Sequence, residues 1–133
     1  MDTALIAMVS QVTERLLPIG VAEPRVYTQF LKVFDFIEKS TDFSSKRFVV
    51  LKYFWQTLDS LGYLLTQPQK WDNTISASAE KLRQHCLSLE NTPITCLTQD
   101  LVELEQFTFS YIRYIIEDDI PSFHWYLWQQ QQK

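Results

Sequence analysis

Residues 44–66 read SSKRFVVLKYFWQTLDSLGYLLT, and within them apolar side chains fall at Phe48, Leu51, Phe54 with Trp55, Leu58, Leu61 and Leu65. Three-and-four spacing of this kind puts them on one face of an α-helix. Val49, Val50, Tyr53, Tyr63 and Leu64 widen the stripe, which predicts packed neighbours on more than one side. Thr41, Asp42, Ser44 and Ser45 offer caps at its start, and Pro68 blocks continuation beyond Gln67. A continuous helix from Ser44 to Thr66 would measure about 33 Å. Gly62 inside it costs about 1 kcal/mol relative to alanine and reads as a close-packing point or the onset of fraying. Lys46, Arg47, Lys52, Gln56 and Asp59 interrupt the apolar run too often for a membrane span.

Outward from this stretch, the N-terminal side holds two more helical patterns. The first runs from Thr3 to Leu17, with Leu5, Met8, Val9, Val12 and Leu16 inward, and Pro18 and Gly20 end it. The second begins near Pro24, which suits the first helical position because its missing amide is not needed there. Its stripe is Val26 with Tyr27, Phe30, Val33 with Phe34, and Ile37, and it stops around Ser40.

On the C-terminal side a polar break from Thr66 to Asn73 contains Pro68 and Trp71. A fourth helix, Thr74 to Leu89, carries a narrow seam of Ile75, Ala79, Leu82, Cys86 and Leu89 and is polar elsewhere. Asn91 to Pro93 makes the next turn. A fifth helix, Leu97 to Ile116, has Leu97, Leu101, Leu104, Tyr111 and Ile115 in phase, with Thr108 as the imperfect member. Its segment FTFSYIRYII also fits strand alternation, but one strand without a partner strand could not satisfy its backbone. The acidic cluster Glu117, Asp118 and Asp119 closes this helix with Pro121. A short C-terminal helix follows from Ser122, and residues 129–133 are expected to fray as a glutamine-rich tail. The predicted fold is a single all-α domain over residues 1–133, a bundle of five main helices plus a short C-terminal one around the long third helix.

Composition agrees with that class. The 133 residues are 46% hydrophobic, 14% aromatic and 21% charged, enough for a core without disulfide or metal, and the two glycines are too few for a sheet protein's turns. The opening MDTALIAMVS carries an acid and no basic n-region, so no signal peptide is predicted and cytoplasm is expected. Cys86 and Cys96 match neither a CxxC motif nor half a zinc site and are expected to be reduced, with Cys86 in the core. The net charge of −4 argues against a surface built wholly for nucleic acid. All of the acid excess lies after residue 95, where six acidic side chains meet two basic ones.

Catalytic signatures are missing from the sequence. Two glycines cannot build a P-loop or a GxGxxG turn. Leu82 and Pro121 precede His85 and His124 by three residues where a di-iron bundle would place a carboxylate. Glu117–Asp119 lacks the ligand spacing and glycine of a calcium loop. Arg83 and His85 are about 200° apart on a helix, so they do not form the one-cleft pair of certain helical ribonucleases. No metal, no cofactor and no small-molecule substrate is predicted, and the chain reads as a protein other than an enzyme.

Two features exceed that background. Five large side chains crowd the C-terminal segment, and Phe123, Trp125, Tyr126 and Trp128 are the candidate partner-binding residues, because one short helix cannot turn them all inward. Separately, Arg25, Lys32 and Lys39 recur every seven residues, and Lys46, Arg47 and Lys52 extend the basic line. That line could track a phosphate backbone, with Tyr27 or Tyr53 available to stack on a base.

The leading expectation is a non-catalytic helical interaction or adaptor subunit of a homo-oligomer or multiprotein assembly. The alternative is a small helical subunit of a ribonucleoprotein, of the size and class of the small subunits of CRISPR effector complexes, an analogy of architecture without a matched motif. A third reading is an enzyme with a site assembled from Glu103, Glu105, Tyr111 and His85.

Overall fold

Helical periodicity carries through the molecule. The computed structural model describes residues 2–17, 24–63, 75–87, 98–116 and 121–131. Among them are six helices and no strand: α1 (Asp2–Leu16), α2 (Pro24–Lys39), α3 (Phe43–Ser60), α4 (Ala77–Leu87), α5 (Thr98–Ile116) and α6 (Pro121–Gln131). The all-α bundle read from the sequence is the fold observed. The predicted breaks at Thr66–Asn73 and Asn91–Pro93, the acidic cluster Glu117–Asp119, and Leu89, Cys96 and Leu97 lie outside the described residues.

α3 packs against α1, α2, α4 and α5, and α6 lies along α1. Its buried residues Val50, Leu51, Phe54, Trp55 and Leu58 sit in a core that takes Leu5, Met8 and Val12 from α1, Val33 and Ile37 from α2, and Leu82 and Cys86 from α4. Leu101, Leu104, Phe109 and Ile112 of α5 complete it with Phe123 and Tyr126 of α6. Each such side chain contributes about 1.5–3 kcal/mol on leaving water.

Trp55 shows how α3 holds its neighbours. Its indole N–H donates to the Thr108 hydroxyl at 3.0 Å, and its ring stacks on Phe107 and Tyr111 of α5. Arg83 of α4 lies 5.2 Å from the ring centroid and pairs with Glu80 at 2.8 Å. Thr108 breaks the apolar stripe of α5 because the indole needs a partner in the core, and the threonine in turn donates to the Leu104 carbonyl. Strand alternation in this segment is overruled: α5 is helical throughout.

The long third helix ends earlier than its apolar pattern suggests. Ser60 is its last residue, and Gly62 takes the left-handed φ of +79°. The Tyr63 N–H donates to the Leu58 carbonyl at 2.8 Å and the Gly62 N–H to that of Asp59 at 3.1 Å, the paired bonds of a Schellman stop. The helix therefore spans 18 residues, about 27 Å. Gly62→Ala is expected to lower stability by about 1 kcal/mol, because a Cβ is strained at this φ. In a continuous helix the same change would raise stability by about as much. Urea denaturation reads the sign.

α4 begins with a cap assembled from two helices. The Ala79 N–H donates to the Ser76 hydroxyl at 3.2 Å. The Ser76 N–H and hydroxyl donate to the two carboxylate oxygens of Glu103 on α5, at 2.6 and 3.0 Å. Glu103 thus does from a neighbouring helix what the glutamate of a capping box does within one. Its negative charge also lies at the positive end of α4. Glu103→Ala is expected to cost about 1 kcal/mol and to speed amide exchange in α4 about fivefold. Unchanged exchange in α4 would show that the cap contributes nothing.

Two further boundaries differ from the sequence reading. α6 starts at Pro121 rather than after Ser122, and it continues through Gln129, Gln130 and Gln131, which the sequence reading had assigned to a frayed tail. Among the described residues no helix is long and apolar enough to cross a membrane.

Candidate interaction surface

The phase of α6 divides the C-terminal aromatic segment in two. Phe123 and Tyr126 are three residues apart and turn inward. Phe123 stacks on Phe109 of α5 with centroids 4.3 Å apart, and Tyr126 meets the same ring edge-on. The Ser122 N–H donates to Gln11 of α1 at 3.3 Å, fixing the start of the helix. On the opposite side Trp125 is 40% exposed and Trp128 57%, with His124 and Gln131 also exposed. Of the four residues predicted to bind a partner, Phe123 and Tyr126 are therefore core, and only Trp125 and Trp128 reach a surface.

Tyr126 is anchored by the main buried polar cluster described. Its hydroxyl donates to Glu105 Oε2. Arg47 of α3 forks onto the same carboxylate, Nε to Oε2 at 3.0 Å and a second nitrogen to Oε1. All three side chains are buried, and they join α3, α5 and α6. Burial works against the guanidinium charge, but hydrogen bonding to Glu105 and its negative charge outweigh that and hold Arg47 above its ordinary pKa. Burial, with the Glu105 charge beside it, pushes the Tyr126 phenol well above its own. These two groups keep fixed charge states, cation and neutral phenol, across the physiological range.

The predicted basic line does not survive as one surface. Arg25, Lys32 and Lys39 are exposed on α2, and Lys39 pairs with Asp35 at 2.9 Å. Lys52 is half-buried, Lys46 is buried, and Arg47 belongs to the Glu105 cluster. The proposed stacking rings stand elsewhere. Tyr53 is buried, its hydroxyl 2.6 Å from that of Thr13. Tyr27 is 63% exposed rather than inward, but it lies about 140° round the helix from Lys32. Beside it on that flank are exposed Leu31 and half-buried Phe30 and Phe34, so of the predicted stripe Tyr27 faces solvent and the two phenylalanines lie at the edge of the core.

The residues proposed for a scattered catalytic site are not brought together. Glu103 caps α4, Glu105 holds Arg47 and Tyr126, the Tyr111 hydroxyl donates to the Tyr63 carbonyl, and His85 is exposed on α4. An open cleft of about 540 Å³ lies between the start of α2 and the ends of α3 and α4, lined by Arg25, Thr28, Gln29, Gln56, Asp59 and Leu87 among others. Arg25 and Asp59 give its wall both signs of charge, so it presents no one-signed field to a phosphate. Among the described residues no three His, Cys, Asp or Glu side chains gather closely enough to hold a metal ion. No protein-family model, no curated protein and no solved structure matches the chain.

Proposed function

We propose that the protein is a non-catalytic helical interaction subunit whose docking element is the outer face of α6. One observation carries this reading. Trp125 and Trp128 stand three residues apart on the solvent side of a helix whose other side is clamped by Phe123, Tyr126 and the Arg47–Glu105 pair. Exposed tryptophans on a rigid support supply large contact area at little entropic cost, as interface anchors do. The engagement of Glu103, Glu105 and Tyr111 in structural bonds supports a role without catalysis.

The double substitution Trp125→Ala/Trp128→Ala tests the reading. Far-UV circular dichroism is expected to show unchanged helicity, and recovery of partner proteins on the immobilised variant to fall at least about 30-fold against wild type. Collapse of helicity, or an unchanged set of bound proteins, would remove the proposal. The ribonucleoprotein reading is supported less well, because only Arg25, Lys32 and Lys39 remain on one exposed line and Lys39 is paired with Asp35.

A further inference from the structure

We infer that the occupant of the α6 tryptophan face is a second copy of this chain, related by a twofold axis. The inference rests on the docking role proposed above and names its partner. α6 carries no Asp, Glu, Lys or Arg along its eleven residues, in a chain that is 21% charged with a net charge of −4. Its solvent side, His124, Trp125, Trp128 and Gln131, therefore presents nothing for an oppositely charged partner to complement. The same property makes it complementary to itself. Across a twofold each group meets the residue related to it by the axis, and only groups at the axis meet their own copies, so an uncharged face meets itself with no like charges opposed at any register.

The helix also places large aromatic side chains on both sides, Phe123 and Tyr126 inward and Trp125 and Trp128 outward. With tryptophan presenting about 250 Å², the two exposed fractions leave roughly 240 Å² of indole surface per copy, nearly a third of the ~800 Å² that one side of a standard interface uses. A reversible dimer follows, with Kd of roughly 1–100 μM. Antiparallel pairing about an axis near Trp128 brings the two Trp128 rings together. Each His124 then faces the Gln131 end of the other copy.

Charge exchange on this face separates a second copy from any other partner. Sedimentation velocity of the full chain is expected to show a monomer–dimer equilibrium. Trp128→Ala should weaken it at least roughly 30-fold, and further because the change enters the interface twice. The variants His124→Glu/Gln131→Glu and His124→Lys/Gln131→Lys should each be monomeric where the wild type is dimeric, and their equimolar mixture should dimerise. A wild type that stays monomeric at about 500 μM, or a dimer indifferent to all of these changes, would overturn the inference. In the monomeric case circular dichroism of Trp125→Ala/Trp128→Ala decides the fate of the docking role. Retained helicity leaves the face available to another partner, and lost helicity removes that role as well.

Discussion

Glu105→Leu is expected to destabilise the protein by about 3–5 kcal/mol, because it strands the buried Arg47 guanidinium without its carboxylate. The Tyr126 hydroxyl loses its acceptor in the same step, since both groups converge on Glu105 Oε2. Replacing the whole cluster with Arg47→Met/Glu105→Leu/Tyr126→Phe is expected to return stability to within about 1–2 kcal/mol of wild type, because no charge or polar atom is then left buried without a partner. Urea denaturation of the single and triple variants at low micromolar protein reads both effects while keeping any association out of the measurement. A loss below about 1 kcal/mol for Glu105→Leu would mean that water reaches the pair.

Phe123→Ala is expected to cost about 3–5 kcal/mol, whereas Trp128→Ala should cost the monomer about 1 kcal/mol. The two residues are five apart in one aromatic segment, and only the phase of α6 distinguishes them. Phe123 is stacked on Phe109 and leaves a closed cavity when truncated; Trp128 is 57% exposed, so the space it leaves opens to solvent. Thermal and urea melts of both variants test the partition. Equal losses would mean that the outer side of α6 is packed as tightly as the inner, and that the face proposed for docking does not exist.

Much of the helical framework was legible because apolar spacing reports which side of a helix leaves water. The inward residues of α1 and the seam Ala79, Leu82 and Cys86 of α4 could be read directly. Periodicity does not tell whether a polar residue in phase with the core will find a partner there. Arg47 precedes Leu51, Phe54 and Leu58 at helical spacing, and Glu105 lies between Leu101 and Phe109 on the same terms. Opposite charges in phase with the apolar stripes of two different helices are the signal of a buried pair, and reading Arg47 as part of a basic line overlooked it. Gly62 was the other missed signal. A glycine directly after a helix-length apolar pattern marks a stop with positive φ, yet the leucines beyond it extended the pattern and hid the boundary. Tyr27 was placed inward because it adjoins Val26, but the core line of α2 is Val26, Val33 and Ile37. Tyr27 sits about 100° away from Val26.

The cap shared between α4 and α5 bears on the order in which the chain can acquire structure. α4 has eleven residues, fewer than the dozen or so at which an isolated helix becomes even marginal in water. Its capping residue, Ser76, is held by a carboxylate 27 positions further along. On a ribosome, Ser76 emerges well before Glu103, and in the interval nothing later in the chain is present to hold it. α4 is in this sense synthesised early and completed late: α3 is already there to pack against, but the beginning of α4 is finished only when α5 arrives.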